Sequence, residues 1–487
     1  MSRTPLFTTA ALAVLLAGCA VGPSFVTPAA PNASAYSPDG LPNQTAAAET
    51  TGGASQKFVP GGPIPSQWWE LFRSDALSRL VIQALNNNPT LQAAQASLRV
   101  AQENLSAANS GFFPSIDGQA GVSRNKSDAG GVSRPAYSLY NASVNVGYTL
   151  DIFGGVRRGV EAAEARTDFQ RYELEAAHLA LTANVVTTAI QEASLRAQIA
   201  ATQDIIDVNK KSLELLQTQF SLGGVAKAAV LAQAATLAQT QATMPPLEKQ
   251  LAQTRHLLAA LLGQFPSERI DAAFDLAGFT LPQELPLTLP SQLVAQRPDI
   301  KAAAAQLHEA SANVGVATAA MLPQITLSGS YGANSGQLAD LLSPQSAMWN
   351  LGAGLLQPLF RGGELLHQRR AADAAYDAAA AQYRATVLTA FQNVADSLQA
   401  LQSDADALKA QLAAERAAAD SLQLSQEQFK VGAISYLSLL DAEQTYEQTK
   451  IALVQAQARR YADTAALFQA LGGGWQAGVK DANGVSQ

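Results

Sequence analysis

The most restrictive feature of this 487-residue chain is an internal duplication. The segment NNPTLQAAQASLRVAQENLSAANSGFFPSI, which starts at Asn87, matches QRPDIKAAAAQLHEASANVGVATAAMLPQI, which starts at Gln296. The same offset of 209 residues recurs downstream, where FSLGG at Phe220 matches FKVGA at Phe429. A single period of this length is not a solenoid, whose repeats run to about 20 to 50 residues. The chain is therefore predicted to be a pseudo-twofold protomer.

Both repeats are predicted to contain the same parts in the same order. A helix leads to a proline break, two alternating strands, a very long helix, a glycine turn and a shorter return helix. The first repeat, 66–263, has predicted strands at about 115–124 and 138–152, a long helix at about 156–222 and a return helix at about 227–262. After a connecting segment at 264–289, the second repeat, 290–472, has strands at about 324–333 and 347–358, a long helix at about 364–431 and a return helix at about 434–471.

The strands alternate between apolar and small polar residues. In ASVNVGYTLDI, which starts at Ala142, the even positions are apolar and the odd positions are mostly Asn, Ser, Gly and Thr. Such a strand fits a soluble sheet whose apolar face packs on a helix. It also fits a membrane barrel with an apolar outer face and a polar lumen. Four strands cannot close a barrel, and lipid excludes open sheet edges, so several chains would have to share one barrel.

The long helices favour the membrane interpretation. Neither Gly nor Pro occurs in 160–222 or in 364–431, and at 1.5 Å per residue such helices are rods of roughly 100 Å. The second carries a sustained coiled-coil spacing of apolar residues, whereas polar residues such as Glu192 and Asn209 interrupt the first. Rods of this kind suit the wall of a helical tube below an oligomeric barrel. Pro245-Pro246 is expected to interrupt and kink the first return helix only.

The N-terminal region holds the only cysteine of the chain, Cys19. It follows an apolar run and the sequence LAG, which resembles a bacterial lipobox after a signal peptide at 1–18. The alternative is an ordinary signal peptide with an incidental cysteine. Ala20 is not acidic, which points to the outer membrane as the destination of the lipidated protein. Residues 19–65 contain few large apolar residues and are expected to form an extended tether, and 473–487 form a C-terminal tail.

Other function classes find little support in the sequence. The net charge is −7 and the basic residues are scattered, which argues against nucleic-acid binding. After the signal, no run of eighteen apolar residues suggests a membrane helix, so a membrane crossing would have to use strands. Phosphate-binding, dinucleotide and serine-hydrolase motifs are missing. The histidines lack ligand spacing, so neither an enzyme nor a metal or other cofactor is expected, apart from the lipid on Cys19. These histidines are His178, His256, His308 and His367.

Several motifs together resemble the outer-membrane factor family, the TolC/OprM-like channels, and specifically its lipoprotein branch. They are CAVGP at Cys19, WWELF at Trp68, the duplicated N-P or R-P with its following helix, LFRGG at Leu359, FKVGAISYLSLLDAE at Phe429 and LGGGW at Leu471. The resemblance covers essentially all of residues 19–476.

The resemblance implies a mixed fold of long coiled-coil helices and a membrane β-barrel. Each duplicated protomer would give four transmembrane strands, and a homotrimer would form a 12-stranded barrel on a 12-helix periplasmic tunnel. It also implies the outer-membrane channel of a tripartite efflux pump, a passive duct that a periplasmic adaptor couples to an inner-membrane transporter. A type I protein secretion channel and a structural coiled-coil envelope lipoprotein are the alternatives.

The resemblance further implies two sets of functional residues. The helix reversals match the family's periplasmic tips, which contact the adaptor, and they consist of Gly223, Gly224, Val225, Val431, Gly432, Ala433 and Ile434. Asp441 matches an acidic residue that faces the lumen at the constriction. Some relatives have a second acid one turn earlier, where this chain has Ser438. A solvated acid on a helix surface is the simpler alternative for Asp441.

Overall fold

The computed structural model describes residues 20–31, 35–38, 40, 42–62, 64–126, 128–129, 132–133 and 135–473. The predicted signal peptide, Cys19 and nearly all of the predicted tail lie outside these residues. The described residues form two compact units. Unit 1 contains the residues up to Ala29 with Ala96–Arg171 and Ala302–Ala385, and unit 2 contains Ala30–Gln95, Tyr172–Lys301 and the residues from Thr386 onward. Each unit takes segments from both repeats.

The first repeat has the predicted order of parts, with one additional strand before it and two additional two-residue strands between its two predicted strands. Its elements are β1 (Lys57–Pro60), α1 (Asp75–Asn87), α2 (Pro89–Asn109), β2 (Ser115–Asn125), the two-residue strands β3 (Asp128–Ala129) and β4 (Val132–Ser133), β5 (Tyr137–Leu150), α3 (Gly155–Ser221) and α4 (Lys227–Leu261). Asn88 separates α1 from α2 and is the N-cap of α2. Its side-chain Oδ1 accepts hydrogen bonds from the backbone N–H groups of Thr90 at 2.9 Å and Leu91 at 3.2 Å.

The second repeat has the same order, and its strand and helix ends differ from the predicted ones by at most two residues. Its elements are β6 (Glu284–Leu287) in the connecting segment, then α5 (Pro290–Gln296), α6 (Pro298–Ala319), β7 (Gln324–Ser335), β8 (Ala347–Leu356), α7 (Glu364–Lys430) and α8 (Tyr436–Ala470). Gly223 after α3 and Gly432 after α7 have positive φ angles of 76° and 74°. Glycine ends both long helices because it adopts this conformation without steric cost.

The first return helix is not interrupted, and the kink expected at Pro245-Pro246 stays a prediction. Helix α4 continues through Pro245 and Pro246, and α4 and α8 have 35 residues each. The expectation that these prolines interrupt the helix is therefore wrong. Neither proline can donate an N–H to the carbonyl four residues earlier. Those carbonyls belong to Gln241 and Ala242. Both residues are exposed, so water can donate hydrogen bonds to the carbonyls in place of the missing N–H groups.

Unit 1 contains an antiparallel sheet in the order β2-β5-β7-β8. Its register places most of the apolar residues of the four strands on one face and most of the Asn, Ser, Thr and Gly residues on the other. Large side chains on the apolar face are open to the surroundings, with Trp349 72% and Leu351 78% exposed. The alternative of a soluble sheet with a helix packed on its apolar face therefore does not hold within the described residues.

The segment after Cys19, which the sequence predicts to be an extended tether, is packed rather than free. In unit 1, Val21 donates its N–H to the Phe153 carbonyl at 3.1 Å, and Arg158 Nε donates to the Val21 carbonyl at 3.1 Å. Phe25 stacks on the His308 ring with centroids 4.3 Å apart. Backbone hydrogen bonds and single aromatic contacts thus fix a sequence with too few apolar residues to form a core of its own.

The same correction applies to the part of this segment in unit 2. Strand β1 pairs in parallel with β6. Gln56 is fully buried and donates from Nε2 to the Pro282 carbonyl at 2.9 Å and to Thr464 Oγ1 at 3.0 Å. Arg460, also fully buried, donates from Nη2 to Thr45 Oγ1 at 3.2 Å. Buried polar side chains hold this segment against α8, and a count of apolar residues cannot detect them.

The core of unit 2 is aromatic where the WWELF segment before α1, helix α8 and the connecting segment meet. Trp68 stacks on Phe468 with ring centroids 5.3 Å apart, and Phe72 and Phe279 contact the Tyr461 ring at 6.5 and 5.9 Å.

Among the described helices, none has a stretch long and apolar enough to cross a bilayer.

Candidate functional site

The two helix reversals of unit 2 have the same backbone geometry. After α3, the N–H of Gly224 donates to the Gln219 carbonyl at 2.8 Å, and after α7 the N–H of Ala433 donates to the Gln428 carbonyl at 2.9 Å. Each bond spans the turn made by the positive-φ glycine, as in a Schellman cap. A Cβ atom on Gly223 or Gly432 would meet no atom within 4 Å, so the surface beside each glycine is open.

The predicted tip residues divide into two groups. Gly223, Gly224, Val431, Gly432 and Ala433 are exposed, whereas Val225 and Ile434 are half-buried. The latter two pack against a buried cluster under the reversals, formed by Leu216, Tyr436, Leu439 and Leu440. Val225 and Ile434 therefore fasten the reversals to the helices, and the other five residues form the open tip surface.

Asp441 and Ser438 lie on one exposed face at the start of α8. They are three residues apart and both are exposed, as expected for neighbours on a helix surface. Ser435 caps the helix, since its Oγ accepts the Ser438 N–H at 3.2 Å. Leu439 and Leu440 point into the buried cluster. The first turns of α8 therefore present a polar face with one carboxylate and hold an apolar face inside.

A buried polar cluster lies behind this face, and sequence reasoning missed it. Glu443 is only 3% exposed, and its Oε1 accepts from Ser212 Oγ of α3 at 3.4 Å. Its other oxygen, Oε2, makes no hydrogen bond within the described residues. Burial raises the pKa of Glu443 to about 7, against a lowering by the Ser212 hydrogen bond and with a smaller raising by the nearby Glu447 carboxylate. Glu443 is therefore not an exposed alternative to Asp441.

Asn209 of α3 joins the helices of this cluster. Its Nδ2 donates to Glu447 Oε1 at 2.8 Å, and its Oδ1 accepts from Gln233 Nε2 of α4 at 3.0 Å. Tyr436 donates to the amide oxygen of Gln233. Burial and the Glu443 carboxylate raise the pKa of Tyr436, which stays a neutral donor. Two sequence features could have indicated this cluster. Asn209 occupies a coiled-coil position that is otherwise apolar, and Glu443 and Glu447 have the i, i+4 spacing that places them on one helix face.

Among the described residues, no group of His, Cys, Asp and Glu side chains is placed to hold a metal ion. His308 has a structural partner instead, because its Nε2 lies 2.9 Å from Glu161 Oε1. What the geometry offers is an open tip surface, an exposed acid near it and a two-faced sheet in the other unit.

The chain is similar to known proteins over most of its length. A family model described as "Outer membrane efflux protein" matches residues 80–264 and 289–473, two segments related by the offset of 209. The chain is 31% identical over 428 residues to the pyoverdine export outer membrane protein OpmQ of Pseudomonas putida, covering 85% of this chain and 89% of OpmQ. It is 29% identical over 415 residues to the probable outer membrane lipoprotein SilC of Salmonella typhimurium, covering 84% of this chain and 88% of SilC.

A solved structure has the same fold. The structure of the outer-membrane channel OprN aligns with a TM-score of 0.84 and 28% sequence identity, covering 94% of this chain and 100% of OprN.

Proposed function

Because the chain belongs to the outer membrane efflux protein family and is an outer-membrane efflux channel, we propose that three copies of it form one passive exit duct. The resemblance predicted from the sequence motifs is confirmed, and so is the location in the outer membrane with a large periplasmic part. The duct would consist of a 12-stranded barrel, four strands from each copy, above a tunnel of twelve helices. This family consists of channels rather than enzymes.

The observation that supports the proposal most directly is the two-faced sheet. Its apolar face leaves Trp349 and Leu351 exposed in the single chain. Contact with lipid would remove these apolar side chains from water, which is favourable. Its other face has small polar residues such as Ser328, Asn350 and Gly352, which suits a water-filled lumen. The sheet has open edges on β2 and β8, and closure with further copies would remove them.

A periplasmic adaptor is the proposed partner of the tip surface, and an inner-membrane transporter is the proposed source of energy. The exposed residues Gly223, Gly224, Val431, Gly432 and Ala433 would let adaptor helices approach end to end. Gly432→Trp is expected to abolish adaptor crosslinking and efflux without lowering the amount of trimer. Normal efflux by this variant would contradict docking at the tip.

The proposed gate is a ring of three Asp441 carboxylates. Three acids around one axis favour cations and bind them at close quarters. With Ser438 one turn earlier, this chain has one such ring where some relatives have two. Asp441 is exposed on the polar face of α8, a position compatible with facing a lumen.

The proposed anchor is a lipid on Cys19, a type of attachment that the name of SilC states for that protein. Arg158 donates to the carbonyls of Val21 and Gly22, so the chain is fixed two residues after the cysteine. We expect Cys19→Ser to abolish lipid labelling, while protein that reaches the outer membrane still assembles. Unchanged labelling would refute the lipobox.

Conductance is the decisive test of the duct. Purified protein should migrate as a trimer and give steady, cation-selective channels in planar bilayers. Asp441→Ala should lower cation selectivity and block by divalent cations, whereas Asp271→Ala, which removes an acid with a 94% exposed side chain from the connecting segment, should not. Ser438→Asp should strengthen the block. A monomer without conductance would favour a structural lipoprotein, and secretion defects without susceptibility changes would favour type I secretion.

A further inference from the structure

The sheet of unit 1 has two open edges in the described part of the chain. These are β2, with 11 residues, and β8, with 10 residues. Ile116 and Val122 of β2 and Leu355 of β8 are exposed beside them. If three copies close one barrel, as in the proposed function on which this inference rests, β8 of each copy must pair with β2 of the next.

The two hairpins have identical internal pairing. In the first hairpin Ser115 pairs with Gly147, and the residues 209 positions later, Gln324 and Leu356, pair in the second hairpin. Ala120 pairs with Ala142 in the same way that Gly329 pairs with Leu351. Residues 209 positions apart therefore have equivalent pairing partners in the two hairpins. The second hairpin repeats the first within the same sheet.

The boundary between the hairpins inside one chain shows how such units join. Strand β5 pairs with β7 from Tyr140 opposite Ser335 to Leu150 opposite Ile325, with Val144 opposite Tyr331 near the middle. In a closed ring of equivalent hairpins, strand tilt and stagger are linked, so equivalent boundaries need the same register. The boundary between two copies then follows by moving β5 forward and β7 backward by 209 residues.

We propose that β8 pairs antiparallel with β2 of a second copy in the register that places Ala353 opposite Val122. The pairing runs from Trp349 opposite Lys126 to Leu359 opposite Ile116.

The faces of the strands agree with this register. Leu355 comes to lie beside Ala120 of the next copy on the apolar face, and Gly354 beside Gly121 on the polar face. A slip of one residue would place every apolar residue of β8 opposite a polar-face residue of β2.

The end of β8 supplies an independent argument. Strand β5 continues for three residues beyond its last pairing with β2, because Tyr148–Leu150 still pair with β7. The counterparts of these residues in the second repeat, Gln357–Leu359, have no such neighbour in the described chain, and β8 ends at Leu356. Leu359 is 92% exposed there. In the proposed register Gln357–Leu359 lie against Ile116–Gly118 of the next copy, which extends β8 and covers Leu359 with Ile116.

Pro358 lies inside this extension and gives no N–H to it. An edge strand accepts a proline where the nitrogen points away from the neighbouring strand. If the Pro358 nitrogen points away from β2 of the next copy, the N–H groups of Gln357 and Leu359 point toward it and are the main-chain donors of the extension.

Cysteine crosslinking tests the register directly, since the chain has no cysteine besides Cys19. The pair Val122→Cys with Ala353→Cys should form disulfides between copies, because directly opposed Cβ atoms lie about 4.5 to 5.5 Å apart. Pairs shifted by two residues on the same face, Ala120→Cys or Arg124→Cys with Ala353→Cys, should react several-fold more slowly. Val144→Cys with Tyr331→Cys, the equivalent pair inside one chain, should form a disulfide without linking copies and serves as the positive control.

The outcomes separate the register from the assembly. Faster crosslinking of a shifted pair would overturn the register and leave the trimer and its function intact. A monomeric protein in which only the Val144–Tyr331 control forms a disulfide would overturn the proposed assembly itself. Hydrogen exchange of the unmodified trimer gives a second measurement that does not depend on folding of the variants. The Gln357 and Leu359 amides should be as protected as those of β5, and rapid exchange would count against the extended pairing.

Discussion

Helices α3 and α7 have 67 residues each, but they bury different types of side chain at equivalent positions. Leu401 of α7 and Glu192 of α3 occupy the same position under the offset of 209, and both side chains are 0% exposed. Glu192 Oε1 lies 3.0 Å from an Arg196 nitrogen and 3.7 Å from Arg255 Nε. Burial of leucine stabilises the fold, whereas a buried ion pair mainly favours one arrangement over others, because desolvation offsets its attraction.

The same contrast recurs nearer the tips. Asn209 of α3 corresponds to Ala418 of α7, and both are buried. Asn209 makes hydrogen bonds to side chains of α4 and α8, which an alanine cannot do. At these two positions α3 therefore makes directional polar contacts where α7 buries an apolar side chain. The following variants test this division, from the largest expected effect to the smallest.

Leu401→Ala should cause the largest loss of stability. Removal of a fully buried leucine side chain costs about 2 to 5 kcal/mol. The measurement is the urea-induced loss of helical circular dichroism in detergent. Leu388→Ala, on an exposed position of the same helix, should change stability by less than about 0.5 kcal/mol. Equal effects of the two variants would contradict an apolar core along α7.

Glu443→Gln should remove a pH dependence that the counterpart position, Ala234, cannot have. The pKa of Glu443 is raised to about 7, above its unfolded value, so the folded protein binds more protons in the interval between them. Its contribution to stability is complete below the unfolded pKa and is lost as the pH rises through about 7. Between pH 5 and pH 8 the wild type should lose up to about 3 kcal/mol from this group.

The measurement is the unfolding midpoint against pH for the wild type, Glu443→Gln and the exposed control Glu214→Gln. Only Glu443→Gln should flatten the profile. Some pH dependence should remain, because burial and a hydrogen bond with Asp404 also raise the pKa of Asp463. A profile unchanged by Glu443→Gln would show that this carboxyl is ionised in the folded protein.

Asn209→Ala installs the residue of the second repeat in the first. It should cost about 1 to 3 kcal/mol, because the buried Gln233 amide and the Glu447 carboxylate lose a partner. The exposed Asn184→Ala is the matched control in the same helix. A stability equal to that of the wild type would mean that water replaces the Asn209 amide without loss.

Glu192→Leu should have the smallest effect, although it replaces a fully buried charge. The leucine matches the counterpart Leu401, and the two arginines released are about one-third exposed and can be hydrated. We expect a change within about 1 kcal/mol in either direction. A loss of more than about 3 kcal/mol in the same unfolding assay would show that the ion pair is a principal stabilising contact of α3.

The regular parts of the fold were accessible from the sequence because they depend on local patterns. Alternation located β5 and β8, and the lack of Gly and Pro located α3 and α7, since these signals depend on neighbouring residues only. The packed segment around Gln56 was missed because its partners, Pro282 and Thr464, are distant in the sequence. The burial of Glu443 was missed for the same reason, since it depends on how α3, α4 and α8 pack.

The proline pair shows the opposite failure. A local rule predicted an interruption of α4, yet exposed carbonyls at Gln241 and Ala242 leave the helix intact. The site residues were located from the sequence, but one chain does not test their roles. Asp441 and the reversal glycines are exposed, and their predicted roles stay predictions, because lumen and adaptor contacts belong to an assembly and not to one chain.

The equal lengths of the two long helices restrict how this gene can change. A deletion of one residue in α3 or α7 would turn everything beyond it by about 100° and draw its reversal back by about 1.5 Å. The shared cluster under the reversals contains Leu216 from one repeat and Tyr436 from the other, so a deletion in one repeat would separate them. Insertions and deletions within these helices should therefore persist in descendants only in matched pairs, one in each repeat.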